Sequence, residues 1–153
     1  MKRRQFILAS VASLVVAQPC FSSSSILDVF KSPTCGCCNA WVEHITRAGF
    51  RATTHDLGQD ALWKIKEEAG ISEDIISCHT GFLDGYFIEG HVPADDVKKL
   101  ILERPSAHGL AVPGMPIGAP GMEMGNRRDP YDTLLILKDG SQKVFQRHGG
   151  KRV

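Results

Sequence analysis

The stretch KSPTCGCCNAW, Lys31 to Trp41, decides how this chain reads, because it sets Cys35, Cys37 and Cys38 where an apolar run ends and a helical pattern begins. Upstream, Ile26 to Phe30 (ILDVF) reads as a buried strand and Ser32-Pro33-Thr34 as the turn that leaves it. From Gly36 the period becomes helical. Trp41, Ile45 and Ala48 share an apolar face, Glu43, His44 and Arg47 a more polar one, and Gly49 closes the segment. The thiols therefore stand at a helix N-terminus. Backbone N–H groups and the positive end of the helix dipole favour thiolate there, the form that attacks disulfides and binds soft metals.

Downstream, Phe50 to His55 alternates like a strand, Asp56-Leu57-Gly58 turns, and Asp60 serves as N-cap for a helix over Ala61 to Ala69 with Leu62, Ile65 and Ala69 inward. Ile71 to Ser77 reads as a short helical turn or loop. Cys78 to Leu83 and Tyr86 to Glu89 flank Asp84-Gly85, a strong hairpin signal. Pro93 opens a third helix with Val97, Leu100 and Ile101 inward, ending before Pro105. Arg104 to Pro130 holds five Gly and five Pro without periodicity and reads as one long functional loop. Tyr131 to Leu137 and Lys143 to Arg147, joined at Lys138-Asp139-Gly140-Ser141, form an appended C-terminal hairpin. Strand, helix, strand, helix, hairpin, helix, with cysteines after the first strand, predicts an α/β thioredoxin-like three-layer sandwich.

With 153 residues, 42% hydrophobic and 23% charged, the chain suits a single domain over 23–153. A net charge of +1 excludes an electrostatic case for nucleic acid. Residues 1–22 read as a signal peptide: Lys2-Arg3-Arg4 precedes an apolar run, Phe6 to Ala17, too short to span a bilayer, and the mature chain carries no span. Arg3-Arg4-Gln5-Phe6-Ile7 resembles a twin-arginine signal, and the general export route fits equally well. Cys20 follows Pro19, a poor lipoprotein box, and is set aside. In an oxidising compartment, Cys35, Cys37, Cys38 and Cys78 are either a redox pair with extras or metal-protected ligands, since adjacent Cys37 and Cys38 cannot bridge without strain.

A thioredoxin-like order brings Cys78 and His79 to face Cys35 and Cys38, and the hairpin returns His91 to the same end. The long loop carries Met115, Met122 and Met124, every methionine beyond Met1. Thioethers and thiolates together select Cu(I), whereas Zn is content with Cys and His. The expected site is a small sulfur-bridged Cu(I) cluster capped by Met or His; an apo, aerobic chain closes Cys35 to Cys38 instead. Bland readings stand beside it: a structural disulfide for Cys35 and Cys38, a packed thiol for Cys37, gap-filling methionines, and His79 satisfying a backbone carbonyl. His44, His55, His108 and His148 are read as surface or structural, and Trp41 and Trp63 as core.

Ser32-Pro-Thr-Cys-Gly-Cys-Cys, Trp41-Val-Glu-His, Ser77-Cys-His-Thr, Asp84-Gly-Tyr, Glu89-Gly-His-Val-Pro and Ala111-Val-Pro-Gly-Met-Pro, in this order, resemble the periplasmic copper-resistance proteins of the CopG type over roughly residues 26–148. The resemblance implies a thioredoxin-like fold, periplasmic location, and copper binding at Cys35, Cys38 and Cys78, with Cys37 and Met115 close by. It also implies a role in copper tolerance, through Cu(I)/Cu(II) interconversion if the site is an oxidoreductase. Another periplasmic copper-handling protein would be its partner. The competing functions are a thiol-disulfide oxidoreductase using Cys35 and Cys38 as its catalytic pair, and a non-catalytic copper chaperone.

Overall fold

The computed structural model describes residues 25–149; the expected signal peptide, the twin-arginine pattern and Cys20 lie outside these residues. Elements follow in the order β1 (Ile26–Lys31), α1 (Gly36–Arg47), β2 (Arg51–Asp56), α2 (Gln59–Glu68), a 3-10 turn (Glu73–Ile75), β3 (His79–Leu83), β4 (Tyr86–Glu89), α3 (Ala94–Glu103), β5 (Ala107–Ala111), β6 (Tyr131–Leu137) and β7 (Gln142–His148). All seven strands join one sheet in the order β2-β1-β3-β4-β5-β6-β7. The first four positions reproduce the thioredoxin-like order, and two apolar layers cover the faces. Leu27, Val29, Leu83, Ile88 and Leu110 pack with Trp41 and Ile45 of α1 and Val97, Leu100 and Ile101 of α3. Phe87, Ala111 and Ile136 point the other way, onto Ile71 and Ile75. Neighbouring Phe87 and Ile88 thus serve opposite layers, as the pleat requires.

Register explains what gathers where. β1 pairs in parallel with β2 and antiparallel with β3, Lys31 opposite His79. β3 therefore begins where β1 ends. Thr80 lies opposite Glu89 in the β3–β4 hairpin, whose turn residues Asp84 and Gly85 both have positive φ, and Glu89 lies opposite Ala111 of the parallel strand β5. Four chain segments consequently meet at one tip of the sheet: the one after β1, the one before β3, and those after β4 and β5.

The sequence reading departs from this fold at particular places. Residues 107–111 are a strand rather than the start of a long loop, and through β5 the β6–β7 hairpin continues the sheet instead of hanging from it. AHGLA has no two-residue alternation, because β5 is covered on both faces and carries Gly109 at its centre. A Cβ there would stand 2.0 Å from the Phe87 carbonyl oxygen, so close strand approach demands glycine. Trp63 is surface-exposed, whereas Trp41 is fully buried with Nε1 donating to the Val92 carbonyl at 2.8 Å. Gly58 rather than Asp60 occupies the N-cap of α2, and Asp60 lies in its first turn. The inward stripe of that helix runs through Leu62 and, four residues on, the buried Lys66.

Candidate metal centre

Cys35 is the N-cap residue of α1 and makes no side-chain cap bond; its sulfur is joined to Cys38 as a disulfide. Ser32-Pro33-Thr34 brings the chain out of β1, and the Cys35 N–H closes the turn on the Ser32 carbonyl at 3.1 Å. Cys37 and Cys38, adjacent on a helix, project in different directions. The Cys38 side is fully buried, its sulfur 3.9 Å from the Cys78 carbonyl oxygen. The Cys37 thiol lies 3.5 Å from Cys35 Sγ and 4.0 Å from Cys78 Sγ. Ligand atoms of Cys35, Cys37, Cys38 and Cys78 all fall within 4.8 Å of one another, and so, separately, do those of Cys78, His79 and His91. Cys78 belongs to both groups and joins them.

His91 is oriented for ligation. Its Nδ1 lies 2.8 Å from the Pro120 carbonyl oxygen, which accepts only, so Nδ1 carries the proton. The unprotonated Nε2 then faces Cys78 Sγ at 3.1 Å and receives its S–H. A carbonyl that sets the tautomer behind a free imidazole nitrogen is the outer-shell arrangement of a metal-binding histidine. Burial lowers the His91 pKa, against the pull of the Pro120 bond and the Glu123 charge, and keeps the ring neutral.

His79 turns Nδ1 to Cys78 Sγ at 3.3 Å, while its buried Nε2 makes no hydrogen bond of good geometry among the described residues. The ring is sandwiched by Trp41 at 4.4 Å and, edge-on, by His91 at 5.0 Å. Burial, then the His91 and Lys66 charges, holds its pKa well below the usual value; the Gly90 carbonyl acts the other way, although no bond of good geometry reaches Nε2. Burial and the neighbouring Cys37 push the Cys78 thiol up to about 12. An entering soft cation must displace that proton, which couples metal uptake to proton release.

The donor set is two free thiols, two disulfide sulfurs reducible to thiols and two neutral imidazoles, one of which, His79, also carries the orphaned buried nitrogen. It fits a thiophilic cation better than a hard one. The loop closes over it. Gly121, at φ 83°, sits so near α1 that a Cβ would stand 2.7 Å from the Cys37 carbonyl oxygen and 2.8 Å from the Trp41 nitrogen. Ser77 Oγ donates to the Gly114 carbonyl at 2.5 Å, placing Met115 beside the Cys78 segment, with its side chain 55% exposed. Met122 is half-buried next to Gly121, and Met124 points to solvent at 62% exposure.

Beneath Cys78 lies a polar anchor that sequence reasoning passed over. Glu89, fully buried, accepts from Lys66 Nζ at 2.6 Å, Thr80 Oγ1 at 2.6 Å and the Ser77 N–H at 2.6 Å. Burial raises the Glu89 pKa; the Lys66 ammonium and the hydrogen bonds oppose the rise. The signal available in the sequence was a lysine on the inner stripe of an amphipathic helix, which is rarely buried unless paired.

A family model described as "Protein of unknown function, DUF411" matches residues 75–122, the span that carries Cys78, His79, His91, Met115 and Pro120. Two solved structures are similar over most of the chain. "Copper resistance protein copG- Form 1" is 42% identical and "Copper resistance protein copG- Form 2" 41% identical; each match covers 82% of this chain and 98% of that one, with TM-score 0.76. No curated protein matches.

Proposed function

The chain belongs to the family of the copper resistance protein CopG, and from that premise we propose that it binds copper in the service of copper tolerance, holding Cu(I) between sulfur and imidazole at the tip of the sheet. The observation that carries this reading is Cys78, whose sulfur lies within ligand distance of both the cysteine group of α1 and the His79–His91 pair. With Cys35 and Cys38 reduced, four thiols stand close enough to bridge more than one ion. His91 Nε2 and His79 Nδ1, the ring nitrogens that face Cys78 Sγ, supply the nitrogen donors, and Met115, Met122 and Met124 thioether ends from the loop. Soft thiolates stabilise Cu(I), imidazole suits Cu(II) as well, and a mixed set therefore permits interconversion of the two.

The same reading puts the protein in the periplasm, where copper tolerance meets incoming metal and where the disulfide of the metal-free form persists. No helix among the described residues is long and apolar enough to cross a membrane. The disulfide favours a second reading, thiol-disulfide exchange on proteins through Cys35 and Cys38. Exchange on proteins needs only the Cys35–Cys38 pair and leaves the two buried imidazoles beside Cys78 without a role.

Metal counting on protein purified from copper-supplemented cells, with oxidation state from X-ray absorption, tests the proposal. Stoichiometric copper with sulfur scattering is expected; sub-stoichiometric copper overturns the reading, and insulin reduction at the pace of a thioredoxin promotes the second one. Within the site, Met115→Ala is expected to weaken Cu(I) retention in a chelator competition while leaving stability within about 0.5 kcal/mol, since its side chain is largely exposed. Unchanged retention removes Met115 from the ligand set.

A further inference from the structure

We infer that Cys37 and Cys78 are a second redox dithiol, in exchange contact with the Cys35–Cys38 pair, and that the four sulfurs together act as an electron store that reduces Cu(II). The inference rests on the copper reading above and adds to it a source of electrons within the chain. Its basis is a pairing that the disulfide makes visible. With Cys35 and Cys38 joined, the remaining free thiols are left 4.0 Å apart, although they are 41 residues distant in sequence. All four sulfurs lie within 4.8 Å of one another, and once Cys35 and Cys38 are joined, Cys37 and Cys78 are the two thiols of that group left to oxidise together.

The step balances within the chain and its substrate. Two thiols and two Cu(II) ions give one disulfide, two Cu(I) ions and two protons; the S–S bond forms, the thiols are oxidised and the copper is reduced. Two pairs give four electrons. The pairs also communicate, because Cys37 Sγ stands 3.5 Å from Cys35 Sγ. Attack of the Cys37 thiolate on Cys35 forms a Cys35–Cys37 bond and releases the Cys38 thiolate; attack of Cys78 on Cys37 then forms Cys37–Cys78 and releases Cys35. The disulfide migrates with no net change in electrons. Cys38 is sealed in the core whereas Cys35 is partly accessible, so an external dithiol reductant enters at Cys35 and recharges both pairs by the same exchange.

Oxidation also removes ligands. Each disulfide formed withdraws two thiolates from copper, leaving imidazole and thioether donors, so the electron state of the sulfur sets how firmly Cu(I) is held.

The test uses the full chain carrying Cys20→Ser, reduced, freed of reductant and mixed anaerobically with Cu(II) and a Cu(I)-specific chromophoric chelator. About four Cu(I) per chain are expected from this protein and about two from Cys37→Ser or Cys78→Ser. Mass mapping of the monomer is expected to find a Cys37–Cys78 disulfide beside Cys35–Cys38. A yield of two with Cys37 and Cys78 still alkylatable overturns the inference, as does a yield of four from Cys37→Ser. The mapping needs no substitution at Cys37 or Cys78, so a failure of either variant to fold leaves the result decisive. A parallel titration with Cu(I) alone reads the copper site: retention of Cu(I) by a chain that yields only two electrons sinks the inference and leaves the copper reading intact. A yield of four with no Cu(I) retained overturns the copper reading and supports the thiol pairing.

Discussion

Replacing Glu89 by Gln keeps the shape of the side chain and deletes the charge opposite Lys66, whose side chain is 3% exposed against 0% for Glu89. At the observed 2.6 Å, and with an effective dielectric near 20, the pair attracts by roughly 6 kcal/mol, a sum largely offset by the several kcal/mol of desolvation that each ion carries. The intact pair therefore contributes little net stability. Breaking it costs far more, because the ammonium stays buried with only neutral acceptors, Thr80 Oγ1 and the Gln carbonyl, and such a loss of the compensating charge costs about 3–5 kcal/mol. In the double variant Lys66→Met with Glu89→Gln no charge is stranded. The Gln carbonyl, placed at the Oε1 position, still accepts from the Ser77 N–H, and its amide N–H donates to Thr80 Oγ1, which no longer accepts from Lys66, so the expected cost falls below about 2 kcal/mol. Urea denaturation of the metal-free protein reads the difference: with a slope of ~2 kcal/mol/M, a loss of about 4 kcal/mol lowers the midpoint by roughly 2 M. A cost under about 1 kcal/mol for Glu89→Gln, or a double variant less stable than the single one, would refute the reasoning. Since Ser77 and Thr80 flank Cys78, the single variant is also expected to loosen Cu(I) retention.

Gly121→Ala meets two obstacles, a positive φ and backbone of α1 at 2.7 Å, and is expected to cost about 2–4 kcal/mol; Gly140→Ala, at φ 81° but with nothing within 4 Å, should cost about 1. Denaturation midpoints of the two variants check this, and equal costs would show that the loop does not press on α1. His44 provides the pH test, because its Nε2 accepts from the Ala94 N–H at 3.0 Å at the start of α3, and burial lowers its pKa, with Arg47 and Lys98 adding to the fall and Glu123 and Asp95 opposing it. A histidine with a lowered folded pKa binds its proton more readily when unfolded, so its contribution is present above the unfolded value near 6.5 and is lost as pH falls below it toward the folded value. His44→Gln, whose amide oxygen keeps the acceptor without titrating, is expected to flatten the decline of metal-free stability between neutral pH and pH 5; an unchanged slope would free His44 of that role.

Much of the fold was readable locally. The change of period at the cysteine stretch, the Asp84-Gly85 turn and the Pro93 start each depend on a few consecutive residues, and β1, α1, the β3–β4 hairpin and α3 lie where those signals put them. From that order alone it followed that Cys78 and His91 would come to the end of the sheet holding Cys35, Cys37 and Cys38. Strand β5 escaped notice because a strand covered on both faces, with glycine where another backbone passes, carries no alternation. Trp63 was assigned to the core by residue type, and nothing in its neighbours records that its position on α2 faces solvent.

What the amino-acid order determined, then, is which chemistry the chain carries and which end of the sheet receives it, since both follow from residue type and short-range pattern. Tertiary packing alone decided which of those groups can act together. Pro120 fixes the proton of His91 from 29 residues away, Glu89 braces the Cys78 segment through Ser77 and Thr80, and Nε2 of His79 is left without a well-formed hydrogen bond among the described residues. The physical reason is that a hydrogen bond or a contact between sulfurs depends on distances of a few ångströms between groups far apart along the chain. Those distances exist only after the sheet has closed and the loop has settled over α1.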